Sequence, residues 1–271
     1  MPLPVQGQVL SKPTVLELSD NCLTHGEGEV GFNVKVVGCG GGGSNTVHRC
    51  AESGVRGVQM CAMDTDVHHL LRIRAPRKML IGLRSAGRMG TGSCPDVGER
   101  AARENENDIR NFLLGSRVVF VAASLGGGTG TGSAPVVAGI SREMGALTVG
   151  MATMPFSSEG KHCAGIARVG LTRLRKTCDA TFVIPNDRIL EQYPTMPIEG
   201  AFMQADTVLT TAINGVIRRC AMPGDLEVDH THILTTILES GATVEGIGKK
   251  KGTGSRQSWS RGFIVKRFPR R

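Results

Sequence analysis

Five glycines within seven residues, at positions 126–132, place the strongest constraint on how this chain can fold. An apolar run at 118–125 precedes the segment Gly-Gly-Gly-Thr-Gly-Thr-Gly, and a helix-like run at 136–144 follows it. Glycine removes the Cβ barrier to unusual backbone angles and to close approach of a ligand, and Pro135 suits the first turn of a helix. The pattern predicts a strand, a glycine loop and a helix N-terminus, which together bind anions and most often phosphate. The alternative is a flexible glycine stretch, although linkers rarely separate a buried strand from a helix.

A second glycine segment, Gly-Cys-Gly-Gly-Gly-Gly-Ser-Asn at 38–45, also lies between an expected strand and an expected helix. Apolar runs predict six strands, at 34–37, 58–63, 78–81, 118–123, 147–153 and 180–184. Helices are expected at 46–53, 95–114 and 200–219. The βα spacing indicates an α/β fold with a doubly wound parallel sheet in the strand order 3-2-1-4-5-6. Strands 1 and 4 then meet at the switch point of the sheet, so both glycine segments border one crevice.

The same patterns divide the chain into five parts. Residues 1–30 lack sustained periodicity, and we expect a flexible N-terminal extension there. The predicted parts that follow are a nucleotide-binding domain at 31–199, a long core helix at 200–222, a loop with the start of a truncated second domain at 223–248, and a basic, disordered tail at 249–271.

Composition narrows the class of protein. The 271 residues are 40% hydrophobic and 21% charged, as in an ordinary soluble globular protein. No apolar run reaches the roughly 18 residues of a transmembrane segment, and the N-terminus lacks the pattern of a signal peptide. None of the eight cysteines forms a Cys-x-x-Cys pair, so no metal site is predicted and reduced cytoplasmic thiols are expected.

The net charge of +8 is concentrated in the tail. Residues 249–271 hold nine lysines and arginines and no acid, which leaves −1 for residues 1–248. A basic tail on a near-neutral domain does not predict a specific nucleic-acid-binding face.

Two nucleotide-binding patterns can be compared with the chain. Gly38, Gly40 and Gly43 match the spacing of a dinucleotide fingerprint, and Asp64 lies 21 residues beyond Gly43, where an acid could bind the ribose of NAD. That fingerprint is short and does not account for the segment at 126–132. No Gly-x-x-x-x-Gly-Lys-[Ser/Thr] motif occurs, which argues against a P-loop nucleotidase.

Taken together, six segments resemble the FtsZ/tubulin family of GTPases, and FtsZ within it. They are the two glycine segments, Asp-Thr-Asp at 64–66, Pro-Phe-Ser-Ser-Glu-Gly-Lys at 155–161, Ile-Pro-Asn-Asp-Arg-Ile-Leu at 184–190 and Ala-Phe-x-x-Ala-Asp at 201–206. The resemblance covers about residues 31–248. It implies a Rossmann-like GTPase domain that binds GTP or GDP, with Mg²⁺ accompanying the nucleotide, and that polymerises head to tail.

The resemblance also implies roles for individual residues. Backbone around the phosphates would come from Gly41, Gly42, Gly43, Ser44, Asn45, Gly128, Thr129 and Gly130. Glu159 would hold the ribose, Phe202 would stack on guanine, and Asn186 and Asp206 would bind the edge of the base. An acid suits the N1–H and N2–H donors of guanine. Outside the motif context, Phe202 could be a core residue and the acids could be solvated.

Catalysis in this family is completed in trans, by acids on a loop after the long helix that reach the nucleotide of the next subunit. The corresponding loop here offers Glu227, Asp229 and His232, with His232 in place of the second acid. A neutral imidazole can accept a proton but supplies no negative charge. Cys163 replaces an arginine near the phosphates, and Cys94 and Asp64 each replace an asparagine.

Three functions stay open at this point. The first is a cytoplasmic cell-division GTPase that forms a ring at mid-cell, with itself, division-ring proteins and membrane adaptors as partners. The second is a paralogue that binds GTP, hydrolyses it poorly and regulates or caps filaments. The third is an NAD-binding Rossmann protein. The resemblance implies that most of the C-terminal domain is missing beyond Gly248, and with it part of the lower contact face for assembly.

Overall fold

A computed structural model of the chain describes residues 33–54 and 57–221, together with short strands at 15–17, 242–245 and 264–267. The strands are β1 (Val15–Glu17), β2 (Val34–Cys39), β3 (Val58–Asp64), β4 (Arg77–Leu80), β5 (Val118–Ser124), β6 (Leu147–Met154), β7 (Ala180–Pro185), β8 (Ala242–Glu245) and β9 (Ile264–Arg267). The helices are α1 (Gly40–Glu52), α2 (Val67–Arg72), α3 (Pro95–Glu104), α4 (Glu106–Leu113), α5 (Thr129–Glu143), α6 (Gly160–Thr177), α7 (Asp187–Gln192) and α8 (Ile198–Ala221), with a 3₁₀ turn at Ser157–Glu159.

One sheet organises these elements, in the order β1-β4-β3-β2-β5-β6-β7-β8-β9. Six neighbouring strands of this sheet, β4-β3-β2-β5-β6-β7, run parallel. Within them β2 pairs with both β3 and β5. This is the predicted order 3-2-1-4-5-6, so the predicted doubly wound α/β fold is confirmed. Because the strands are parallel and in register, Cys39 lies beside Met63 and Ala123, and the carboxyl ends of β2, β3 and β5 share one edge.

Alternating side chains of each central strand enter two different cores. In β2, Val37 and Cys39 pack under the helices α3 to α6, whereas Val34 and Val36 pack under α1 and α8. Successive side chains of a strand point to opposite faces of the sheet, so each strand contributes to both cores. Burial on both faces explains the near-continuous apolar runs in the sequence. The sheet is therefore held rigidly from both sides, which fixes the edge where its strands end.

Both glycine segments differ from the predicted loops. Strand β2 runs to Cys39 and α1 begins at Gly40, so most of the segment 38–45 is the first turns of a helix. Gly40 has a φ of +68°, a left-handed angle that glycine adopts without strain and that turns the chain directly from strand into helix. Helix α5 likewise begins at Thr129, inside the second glycine segment.

The predicted helix over 95–114 is two helices, because Asn105 interrupts it. Its side-chain oxygen accepts a hydrogen bond from the Gly82 N–H at 2.9 Å, and its amide donates to Asp108 at 2.8 Å. These bonds hold the Asn105 backbone at φ −105° and ψ 24°, outside the helical region. The helix expected at 200–219 begins two residues earlier and ends two residues later, as α8.

Strands β1 and β9 fall in stretches that the sequence assigns to a loose extension and an unpatterned tail. β1 pairs antiparallel with β4, and β9 pairs antiparallel with β8. The proposed domain boundaries stay predictions. Within the described part of the chain, no helix combines the length and apolar character needed to cross a membrane.

A buried lysine closes the sheet edge opposite to the glycine segments. The Lys35 ammonium donates to the carbonyls of Phe112 at 2.5 Å and Leu114 at 2.8 Å, at the C-terminal end of α4. A cation at a helix C-terminus also interacts favourably with the helix dipole. Burial, and to a lesser degree the nearby Arg77, lowers the pKa of Lys35.

We expect Lys35→Met to lower the free energy of unfolding by about 2–3 kcal/mol, because one buried and one partly buried carbonyl lose a charged donor. Urea unfolding measures this change, and Lys176→Met, at an exposed lysine on α6, is the matched control. Equal stability of the two variants would show that the Lys35 contacts contribute little.

Candidate functional site

Two helix N-termini meet at the carboxyl edge of the sheet. α1 follows β2 directly and α5 follows β5 after four residues, and β2 and β5 are paired. The backbones approach so closely that a Cβ built on Gly40 would lie 2.5 Å from the Gly130 nitrogen. The crevice that the sequence predicts at the switch point is therefore lined by both glycine segments.

Neither helix start is capped by its own side chains. α1 and α5 have no side-chain hydrogen bond at the N-cap and no acidic residue in the first turn. The first four N–H groups of a helix have no partner within the helix, and they carry a partial positive charge. Two such starts side by side form a site for an anion, and phosphate fits it.

Most of these glycines are required for packing. A Cβ on Gly42 would lie 1.9 Å from the Ser124 hydroxyl, and a Cβ on Gly43 would lie 2.2 Å from the Ala122 carbonyl. A Cβ on Gly128 would meet the Thr91 hydroxyl at 2.1 Å. A side chain at Gly128 would therefore point at the loop before α3. Gly41 is more open, with its nearest neighbour, His69, at 3.8 Å.

Three threonines tie the start of α5 to the neighbouring loops. The Thr129 hydroxyl lies 2.7 Å from that of Thr65, after β3, and 3.4 Å from that of Thr91, before α3. The sequence interpretation did not identify Thr91, and only its place between Gly90 and Gly92 in a glycine-rich connection hinted at it. The network fixes Thr129 as part of the wall of the crevice.

Two buried polar atoms in the site have no hydrogen-bond partner. They are the hydroxyl oxygen of Ser44, in α1, and the side-chain oxygen of Asn186, which follows β7. Both residues are almost fully buried. Buried polar atoms are normally satisfied, so an orphan beside a crevice indicates that a ligand completes it.

Asp206 faces α1 from α8. Its carboxylate accepts hydrogen bonds from the Thr46 hydroxyl and from Arg49, each at 3.4 Å. Asp206 is 8% exposed, and burial raises its pKa to about 6, although Arg49 and Thr46 act in the opposite direction. The acid is thus held at a defined place by weak contacts that a better donor could replace.

Phe202 lies one turn before Asp206 and is 43% exposed. Its ring packs edge to face on buried Phe156, with 4.9 Å between centroids and 88° between planes. Phe202 is therefore not a core residue. Its orientation is fixed by Phe156, and its exposed surface is available to a planar ligand.

Glu159 and Cys163 lie together after β6. One Glu159 oxygen accepts the Phe156 N–H at 2.7 Å, and the other accepts from the Cys163 thiol at 3.7 Å. The side chain of Cys163 also lies against Gly126, and burial raises the pKa of its thiol. Glu159 therefore stabilises the 3₁₀ turn in which it lies. Its role in binding a ribose stays a prediction.

Asp64, the acid that an NAD site would use, has two neighbouring partners in the structure. Its carboxylate accepts from the Thr65 N–H at 2.8 Å and contacts His69 at 2.9 Å. His69 was not identified from the sequence. Glu227, Asp229 and His232, the predicted catalytic residues, lie outside the described residues.

Comparison with known proteins gives the same assignment as the geometry. Residues 33–194 match the GTPase domain of the Tubulin/FtsZ family. The chain is 45% identical to cell division protein FtsZ 1 of Archaeoglobus fulgidus over 219 residues, which are 81% of this chain and 60% of that protein. It is 44% identical to cell division protein FtsZ 1 of Halobacterium salinarum over 232 residues, 86% of this chain and 59% of that protein.

Solved structures agree. An FtsZ dimer of M. jannaschii superposes with a TM-score of 0.75 at 42% identity, covering 80% of this chain and 63% of that one. CetZ2 of Haloferax volcanii, at 19% identity and a TM-score of 0.67, shares the fold. The chain spans about three fifths of the length of the curated relatives that it matches. With its sheet order, its paired glycine helix starts and these matches, the chain belongs to the Tubulin/FtsZ family of GTPase-domain proteins.

Proposed function

We propose that this chain binds GTP and GDP in the crevice between α1, α5 and α8. The observation that carries the proposal is a pair of orphaned buried oxygens at the carboxyl edge of the sheet, where two helix starts are uncapped. One is the hydroxyl of Ser44 in α1, and the other is the side-chain oxygen of Asn186, which follows β7. Phosphates would accept hydrogen bonds from the N–H groups of Gly41–Gly43 and Gly128–Gly130 and from the Ser44 hydroxyl. Guanine would stack on Phe202 and donate to Asn186 and Asp206.

Guanine fits this base site better than adenine does. The N1–H and N2–H groups of guanine are donors, and Asp206, as a carboxylate, only accepts. Adenine offers an acceptor at N1, which would face the carboxylate unfavourably. The weak contacts from Thr46 and Arg49 leave capacity on Asp206, since a carboxylate has about four acceptor sites.

Mg²⁺ would be held mainly by the nucleotide. Within residues 33–54 and 57–214, no group of three or more His, Cys, Asp or Glu side chains is placed to hold a metal ion. Mg²⁺ commonly keeps several waters and binds phosphate oxygens with one or two carboxylates, so a dedicated protein cage is not required. When bound, the ion would supply positive charge at the phosphates.

We further propose head-to-tail self-assembly in the cytoplasm and GTP hydrolysis in trans at mid-cell, with division-ring and membrane-adaptor proteins as partners. The support is the family membership, the FtsZ 1 relatives named for cell division and the dimer of the M. jannaschii protein. Asp229, with Glu227 and His232, would act on the nucleotide of the next subunit. Because His232 stands where the family has an acid, a paralogue that binds GTP but hydrolyses it slowly is the second candidate.

Base selectivity tests the nucleotide proposal. We expect the unmutated chain to bind GDP and GTP in strong preference to ADP and ATP. Asp206→Asn should weaken GTP binding by about 1.5–3 kcal/mol, because a charge-assisted bond is lost, and should narrow the preference over ATP. Calorimetric titration measures both affinities, and Glu143→Gln, at an exposed acid at the C-terminal end of α5, is the control. Equal affinity of the unmutated chain for GTP and ATP would overturn the proposal.

The affinity should also depend on pH. Asp206 accepts guanine donors as a carboxylate, and its pKa is about 6, so the carboxylate form dominates above pH 6 and is lost below it. GDP affinity should therefore fall as the pH drops through 6, approaching about tenfold per pH unit, because one proton competes with the base. Asp206→Asn should remove this loss of affinity below pH 6. If the variant shows the same loss, the loss belongs to another group.

Catalysis is tested at the loop acids. Loss of one positioned acid–base group typically costs about 10²–10⁴ in rate, so turnover should be slow and should rise with protein concentration if subunits complete the site. His232→Asp should raise phosphate release, and Asp229→Ala should remove what remains. Turnover that does not depend on protein concentration would contradict hydrolysis in trans. A His232→Asp variant that assembles but hydrolyses no faster would contradict the role of residue 232.

A further inference from the structure

His69, on α2, has its ring placed against the start of α1. Asp66 caps α2 by accepting from the His68 N–H at 2.8 Å and the His69 N–H at 3.3 Å, which fixes the first turn of this short helix. The His69 ring then lies between Asp64 and Asn45. Its Nδ1 is 2.9 Å from the Asp64 carboxylate, and its Nε2 is 3.3 Å from the Asn45 side-chain oxygen.

Both ring nitrogens of His69 therefore face oxygen atoms. The Asp64 carboxylate is buried and only accepts, so Nδ1 carries a hydrogen. A hydrogen on Nε2 as well would let the ring donate at both nitrogens. Asp64 is itself held by the Thr65 N–H at 2.8 Å, so the ring cannot turn away without breaking this chain of contacts.

The Nε2 edge of His69 borders the first turn of α1. A Cβ built on Gly41 would have only this ring within 4 Å, with Cε1 at 3.8 Å and Nε2 at 4.0 Å. The His69 side chain is 26% exposed, so a ligand can reach it. Ser44, one turn further along α1, carries the orphaned hydroxyl described above. The contact of Nε2 with Asn45 is long for a hydrogen bond, so a stronger acceptor could replace it.

We infer that His69 is an additional nucleotide-binding residue, whose Nε2–H donates to a phosphate oxygen, and that Asp64 is its positioning residue. This inference rests on the proposed nucleotide site and adds an imidazole donor to the backbone amides and the Ser44 hydroxyl. A phosphate oxygen would replace the Asn45 oxygen as acceptor and would form a charge-assisted bond, which is about twice as strong as a neutral one. Guanosine, which has no phosphate, would gain nothing from His69.

The test compares ligands that differ only in their phosphates. Guanosine, GDP and GTP are titrated into the full chain and into His69→Gln, His69→Arg, Asp64→Asn and the control His68→Gln, an exposed neighbour on the same helix. His69→Gln should lower the affinity for GDP and GTP about tenfold, as expected for the loss of one charged hydrogen bond. The affinity for guanosine should fall less than about twofold. His69→Arg, whose guanidinium supplies N–H donors at this position, should recover most of the loss. Asp64→Asn should lower the affinity for GDP and GTP by a smaller factor, and it should likewise leave the affinity for guanosine nearly unchanged.

The outcomes distinguish a failure of the His69 inference from a failure of the proposed nucleotide binding. If His69→Gln binds GDP as tightly as the unmutated chain does, or loses guanosine and GDP equally, His69 has no role at the phosphates. If the unmutated chain binds none of the three guanine ligands, the proposed function itself fails, and the inference fails with it. Thermal melting without ligand, compared with His68→Gln, identifies a variant that is only misfolded, in which case His69→Arg decides.

Discussion

The close approach of two helix N-termini is the constraint on which the rest of the site depends. Gly40 and Gly130 can lie in contact because neither has a side chain, and because β2 and β5 are paired neighbours in the sheet. Two rows of unpaired N–H groups then point into one crevice, where a single anion can meet both. The rigid, doubly covered sheet holds this arrangement without the help of side-chain caps. The uncapped helix starts and the orphaned oxygens of Ser44 and Asn186 carry a free-energy cost in the absence of a ligand. A bound phosphate and base would remove that cost.

Charge is distributed over the crevice in a way that suits a nucleotide. Asp206, the acid proposed to bind the base, lies on α8 against Arg49, and its raised pKa shows that burial outweighs that partner. At the other end, the Asp64 carboxylate contacts Nδ1 of His69 at 2.9 Å, and the His69 ring lies between this acid and the side chain of Asn45. In the proposed site, backbone amides and the His69 imidazole would take the place of the lysine of a P-loop. A near-neutral domain would then need no large basic patch to bind an anionic ligand.

The strand order and the position of the crevice could be predicted, because buried parallel strands leave near-continuous apolar runs and glycine segments mark the turns between strand and helix. The exact helix starts could not, since Gly40 and Thr129 look like loop residues until the packing of their backbones is known. Asn105 divides a periodic helical stretch through a bond to Gly82, which is distant in sequence. His69 and Thr91 could not be identified from the sequence for the same reason. Each contacts residues on other elements, and no spacing in the sequence indicates those contacts.

A crystal structure of the chain with GDP tests the central claim most directly. The phosphate oxygens should lie within hydrogen-bond distance of the amides at the starts of α1 and α5 and of the Ser44 hydroxyl. The guanine edge should lie against Asn186 and Asp206, with its ring on Phe202. A nucleotide bound elsewhere, with Ser44 and Asn186 still lacking partners, would contradict the account.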